Sequence, residues 1–395
     1  MKRHGGLWNA LTSFSNLVRA AEKARRGKSR LANVARFHYD LENQICKLQD
    51  ELRDKTYQPG EYRTFQIFEP KLRMISAAPY RDRVVHHALC GILEFVFDPT
   101  FVFDSYACRR GKGTHAAVDR FTEFARRNRY VLKCDVQKFF PSVDHEMLKG
   151  LIARKIKDRD VLWLANRIID GSNEQEPIFE WFAGDDLFTL TERRRGLPIG
   201  NQTSQFFANV FLNPFDHFVK QTLQARNYIR YVDDFVIFSD DKAWLADVRE
   251  RCREFLASLR LRLHRRKSVI SRVGDGTRFL GYRVFPDHRL LVRENVTRFR
   301  RRMRRLQKSF ARGETRAEAI GRRVASWIGH AKHADTFHLR ERLFERIIFR
   351  RTADVAVLGG GRTIVCCVAV PGTTIRGTPA PPTATGTLPT TATTT

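Results

Sequence analysis

The run Tyr228-Ile-Arg-Tyr-Val-Asp-Asp-Phe-Val-Ile-Phe238 sets two adjacent carboxylates, Asp233 and Asp234, between two short stretches of β-formers. Strand, acidic turn and strand predict a β-hairpin. An Asp-Asp pair taken alone is simply a good turn dipeptide. Held at a tight apolar turn, though, the two charges repel each other and are relieved by a divalent cation. A third acid has the same kind of setting: Asp135 closes the apolar strand Tyr130-Val-Leu-Lys-Cys134. If that strand lies beside the hairpin, Asp135 and Asp233 can hold two Mg²⁺ ions roughly 3.5–4 Å apart, the arrangement that clamps attacking and leaving oxygens in phosphoryl transfer.

These acids stand in a strongly basic chain. Its 395 residues carry 71 Lys or Arg against 43 Asp or Glu, a formal charge of +28. Such an excess needs a polyanion, either nucleic acid or an anionic membrane surface. A hydrophobic share of 42% with 11% aromatics excludes a wholly disordered chain and supports two or three domain cores. No apolar run is long enough to span a bilayer, and Met1-Lys-Arg-His-Gly-Gly6 lacks the apolar stretch of a signal peptide. A soluble cytoplasmic protein without a membrane partner is therefore expected. The seven cysteines include no C-x-x-C pair and the twelve histidines no recognisable ligand set, which argues against a disulfide framework or a structural zinc site.

Patterning divides the chain further. Residues 7–57 read as helical, with Leu41, Ile45, Leu48 and Leu52 at three-and-four spacing. Strand-like runs follow at 62–68 and 70–79, then a helix at 82–97, a basic Gly-containing loop at 106–115 and an amphipathic helix at 116–128. Beyond the strand at 130–136 the expectation is helix over 146–169, an insertion at 171–191, a Gly-Pro loop at 196–205 and a helix over 206–225. This mixture of helices and hairpins points to an α+β fold. Residues 291–312 hold nine basic side chains against Glu294 alone, a helix too lopsided for an ordinary solvated face unless phosphates lie against it. The Thr- and Pro-rich segment 352–395 reads as disordered.

Asp135-Val-Gln-Lys-Phe-Phe140 resembles the first catalytic motif of reverse transcriptases, and Tyr231-Val-Asp-Asp234 resembles their Tyr-x-Asp-Asp box. The resemblance implies a right-hand polymerase: an N-terminal helical region at 1–60, fingers at 61–130, palm at 131–288 with the loop 196–205, and a basic helical thumb at 289–351. It implies RNA-templated DNA synthesis with two Mg²⁺ ions, or Mn²⁺, held by Asp135, Asp233 and the Val136 carbonyl, with Asp234 electrostatic or positional. Lys71 and Arg73 lie in a stretch similar to the fingers strand that grips the nucleotide triphosphate. Phe140 falls where a bulky aromatic meets the sugar and excludes a 2′-hydroxyl, although Phe139 or Phe140 belongs to the core. Lys267, in a segment similar to the following palm motif, either protonates the departing pyrophosphate or contacts the backbone. Phe279-Leu280-Gly281-Tyr282 is similar to the primer grip. Arg109, Arg110 and Lys112 in the basic loop, and Arg298, Arg301 and Arg305 in the thumb, are expected against template or primer phosphates.

Leu197-Pro-Ile199-Gly200-Asn-Gln-Thr-Ser204-Gln205 narrows the resemblance. Ile-Gly in place of the usual Gln-Gly, with the closing Ser-Gln, is similar to the reverse transcriptases of diversity-generating retroelements. In that family Ile199, Gly200 and Gln205 lie where the templating base meets the incoming dNTP. The implied activity is error-prone at template adenines during mutagenic retrohoming. A template RNA, primer or cDNA, dNTPs, a small basic accessory protein and a bacterial or phage cytoplasm go with it. Alternatives are a group II intron or retron-type reverse transcriptase of ordinary fidelity, a viral RNA polymerase, against which Phe140 argues, or a non-catalytic RNA-binding relic.

Overall fold

The computed structural model describes residues 2–68, 72–173, 175–186 and 188–351. Lys71 and the segment 352–395 lie outside the described residues. The chain forms two bodies, one ending at Arg289 and one beginning at Leu290.

The first body opens with four helices: α1 (Trp8–Thr12), α2 (Phe14–Arg25), α3 (Ala32–Tyr39) and α4 (Leu41–Arg53). Ile45, Leu48 and Leu52 form the buried stripe of α4, which is why that spacing reads as helix in the sequence. An antiparallel ribbon, β1 (Arg63–Phe68) and β2 (Leu72–Ala77), precedes the largely buried α5 (Tyr80–Phe97). After α6 (Thr114–Arg127) and β3 (Tyr130–Asp135) come α7 (Phe139–Ser142), α8 (His145–Ala153), α9 (Arg159–Asp170), α10 (Thr189–Glu192) and α11 (Gln202–His217). The α11 helix begins four residues earlier than the sequence suggests, so Gln205 belongs to its first turn and not to the loop. Gly200 is the last residue there that needs left-handed backbone, at φ 114°. The Ser204 hydroxyl donates to the Pro198 carbonyl at 2.6 Å, so its polarity does not oppose the helix.

A four-stranded antiparallel sheet forms the centre. β4 (Tyr228–Tyr231) and β5 (Asp234–Ser239) are the expected hairpin; α12 (Lys242–Ser258) and β6 (Val269–Arg272) complete the unit in the order β4-β5-β3-β6. Alternation along β5 sends side chains to opposite faces. Phe235 meets Phe215 of α11 with ring centroids 5.0 Å apart, and Phe238 meets Phe121 of α6 at 4.8 Å. Both faces are thus covered by helices, and a Phe238→Ala cavity between sheet and α6 costs about 3–5 kcal/mol. The hairpin β7 (Thr277–Phe279) and β8 (Tyr282–Val284) follows, and β9 (Arg289–Leu291) leads out of it.

The second body consists of α13 (Arg293–Ala311), α14 (Ala317–Ala331) and α15 (Phe337–Phe344). Phe299, Met303, Leu306 and Phe310 are the buried stripe of α13, and Phe299 stacks on Trp327 with centroids 3.9 Å apart. Arg298, Arg301 and Arg305 are exposed on the opposite side of the same helix. Among the described residues no helix is long and apolar enough to cross a membrane.

Candidate active site

The three acids converge because of register. Asp135, the last residue of β3, pairs across the ladder with Asp234, the first residue of β5. Val136 N–H donates to the Asp233 carbonyl at 3.1 Å, and since a strand residue's N–H and C=O point to the same side, the Val136 carbonyl also faces the turn. The turn itself is strained: Val232 has φ 57°, left-handed backbone that a β-branched residue rarely adopts. On the far side of β3, His264 N–H donates to the Asp135 carbonyl at 2.8 Å and Gln137 N–H to the Arg262 carbonyl at 2.7 Å. This pairing brings Lys267 round, and its ammonium forms an ion pair with Asp135.

Electrostatics follow from this crowding. Asp233 is pushed up to about 6, first by burial and then by Asp234. Asp234 is also raised, again by burial first, with Asp135 opposing its ionisation and Lys133 and Lys267 favouring it. The donors suit a hard divalent cation: the strand-end carboxylate of Asp135, the turn carboxylate of Asp233 and a turn-facing carbonyl, with protons held first by burial and then by the repulsion between neighbouring acids.

A second group of predicted residues is strung along one hydrogen-bonded chain. Leu197 N–H donates to the Phe140 carbonyl at 2.8 Å, and Ser76 N–H of β2 donates to the Ile199 carbonyl at 3.1 Å. The Asn201 amide donates to the Ser76 carbonyl at 3.0 Å and accepts from Ala78 N–H at 3.4 Å. The loop carrying Ile199 and Gly200 therefore ties Phe140 to the strand that bears Arg73. A side chain at Gly200 would be tightly placed, since an added Cβ lies 3.1 Å from Ile75 Cγ2, and its φ of 114° is strained for any other residue. Arg73 itself is exposed on β2 opposite Ile67. Phe139 is core, whereas Phe140 is half-buried beside it. The exposed Gln205 accepts from the Cys108 thiol at 3.2 Å.

Two expectations need correction. Arg109 is not an outward-facing loop arginine: it bonds the Asp98 carboxylate at 2.7 Å and the carbonyls of Val102 and Ser105 at 2.7 and 3.1 Å, bracing the loop from within. Arg110 is exposed, and Lys112 caps the Phe103 carbonyl and lies over the Phe103 ring. Tyr282 is fully buried, paired with Phe279 on the face of the β7–β8 hairpin that packs on α6, where Phe121 stacks on Phe279. Only Leu280 and Gly281 form its tip, both with positive φ.

One neighbourhood carries no expected role. Arg230, on β4 beneath the acidic turn, is completely buried against Asp216 of α11. The signal in the sequence is an arginine inside an otherwise apolar strand, which obliges a buried partner.

An antiparallel sheet backed by helices, with carboxylates from a hairpin turn and from the adjoining strand end gathered at one end of its central strands, defines a right-hand nucleic-acid polymerase of α+β class. The family described as "Reverse transcriptase (RNA-dependent DNA polymerase)" matches residues 64–284. The chain belongs to that family and is an RNA-directed DNA polymerase. It is 28% identical over 277 residues to Protein YkfC of Escherichia coli (strain K12), covering 60% of this chain and 70% of the relative. It is 22% identical over 312 residues to the group II intron-encoded protein LtrA of Lactococcus lactis subsp. cremoris, covering 62% of this chain and half of the relative. Among solved structures, the apo telomerase of Candida tropicalis, truncated from its C-terminal domain, aligns with a TM-score of 0.44 and 13% identity over 61% of this chain and 58% of that one.

Proposed function

We propose that this reverse transcriptase copies a structured RNA into DNA with reduced fidelity opposite template adenines, as the enzyme of a diversity-generating retroelement. The observation that carries the reading is the loop Leu197–Asn201, hydrogen-bonded at one end to Phe140 and at the other to β2. It presents an alkyl side chain, Ile199, where an amide would give the nascent pair a polar support. Losing that support relaxes the geometric check on the pair, because discrimination between partners depends on polar groups left unsatisfied by the wrong one.

Within this reading Asp135, Asp233 and the Val136 carbonyl hold Mg²⁺, with Mn²⁺ as the alternative, and Asp234 shapes the local field. When bound, the cations neutralise the triphosphate and acidify the primer 3′-hydroxyl. Arg73, with Lys71, grips the triphosphate through guanidinium geometry. The Phe140 ring lies under the sugar and rejects a 2′-hydroxyl. Lys267, held at the acids by Asp135, delivers a proton to the leaving pyrophosphate. Arg110, Lys112, Leu280, Gly281 and the thumb arginines contact template and primer; a small basic accessory protein completes the assembly.

The test is Ile199→Gln, with errors sequenced after copying a defined RNA. Misincorporation at adenines is expected to fall at least several-fold relative to other template bases. An unchanged error spectrum rejects the adenine-specific reading and leaves a reverse transcriptase of ordinary fidelity.

A further inference from the structure

The guanidinium of Arg230 has every N–H donor assigned. Nε and Nη2 each reach one Asp216 oxygen at 2.7 Å, and Nη2 also reaches the Ser105 hydroxyl at 3.1 Å. Nη1 donates to the Asn209 side-chain carbonyl at 3.1 Å and to the Val232 main-chain carbonyl at 3.0 Å. The Tyr228 hydroxyl donates to the same Asp216 carboxylate at 2.5 Å. The main chain of Arg230 is pinned as well: its N–H donates to the Asp104 carbonyl and its carbonyl accepts from Tyr106 N–H.

Val232 is the strained left-handed residue immediately before Asp233. We propose that Arg230 is a positioning residue for Asp233: locked by Asp216, it clamps the Val232 carbonyl and so keeps the turn in the one conformation that aims the carboxylate at Asp135 and Asp234. The general energetics of buried ion pairs favour this over a purely architectural role. An apolar pair of similar volume commonly replaces a buried ion pair without loss of stability. What an apolar pair cannot supply is a donor to Val232.

The inference rests on Asp233 being a catalytic carboxylate, so Asp233→Asn is run alongside; a fully active Asp233→Asn enzyme rejects that assignment. The test proper is the double variant Arg230→Met with Asp216→Leu, which removes the pair without stranding a charge. A folded double variant is expected to lose at least 100-fold in single-turnover dNTP incorporation, with KM for dNTP within threefold of the parent. Amide hydrogen exchange is expected to quicken at residues 231–234 while 130–135 stay protected. Parental rate and parental exchange at 231–234 overturn the proposal. If the double variant does not fold, Arg230→Lys decides: lysine keeps the charge pairing but cannot reach all four acceptor groups. Slower incorporation with faster exchange at the turn is then expected, and unchanged values of both overturn the proposal.

Discussion

Asp135 and Asp234 are direct partners across the β3–β5 ladder, so two carboxylates stand opposite each other where cross-strand neighbours ordinarily carry complementary charge. With Asp233 one residue away, this end of the sheet's central strands is electrostatically uncomfortable without a cation. Asp233 has its folded pKa raised to about 6, above the ordinary carboxylate range. Between about pH 4 and 6 the folded state retains a proton that the unfolded state has lost, so stability falls as pH rises through this window and then levels off. In metal-free buffer at pH 7, Asp233→Asn is expected to raise stability by about 1–2 kcal/mol while abolishing primer extension. Thermal unfolding at pH 4 and pH 7 checks this: the gain should be present at pH 7 and shrink at pH 4.

Phe140 is the half-buried member of an edge-on aromatic pair with the core residue Phe139. If Phe140 lies under the sugar, Phe140→Val leaves Phe139 in place and opens space there. The ratio of kcat/KM for dNTP over rNTP is expected to drop by about 10–100-fold, equivalent to losing on the order of 1–3 kcal/mol of discrimination. Steady-state incorporation with each nucleotide class measures it directly.

Lys267 is tied to Asp135 yet its side chain remains 43% exposed, so it is available to a substrate oxygen. Proton delivery and simple charge contact separate in one comparison, because arginine keeps the charge but does not release a proton. Lys267→Arg and Lys267→Met are both expected to slow single-turnover incorporation by about 100-fold. Near-parental Arg activity would reduce the residue to an electrostatic contact.

Gly200 combines φ 114° with a prospective Cβ only 3.1 Å from Ile75 Cγ2. Gly200→Ala is expected to destabilise the first body by about 1–3 kcal/mol, since strain and contact act together. Adding Ile75→Ala should recover the steric part and leave the backbone part. Urea melts of the single and double variants separate the two.

Arg298, Arg301 and Arg305 project from the exposed side of α13. If all three lie on phosphates, replacing them with Ala should lower the slope of log affinity against log salt by about 2–3, with little sequence dependence. Filter binding of a single RNA across a salt series provides the slope.

The hairpin at 228–239 and the strand ending at Asp135 were legible because period-two apolar patterning and an acidic turn are local signals. That they meet at one end of the same sheet is a long-range pairing that spacing alone does not dictate; the chemistry of clustered acids and the resemblance to reverse transcriptase motifs point to it. Tyr282 is assigned to the primer by the resemblance of its segment to the primer grip, whereas its pairing with Phe279 turns it inward. Arg109 was misread because a basic loop looks solvated until its own carbonyls are seen to take up the guanidinium. The pairing of Arg230 with Asp216 is not legible in the sequence, because nothing local links a strand residue to an acid on the preceding helix.

The stitching of residues 197–201 to Ser76 and Ala78 has a mechanical implication. A displacement of the β1–β2 ribbon drags Ile199 with it, and the same loop pulls on the main chain at Phe140. If Ile199 gauges the base pair and Phe140 the sugar, the two checks are harnessed together, so loosening one is felt at the other.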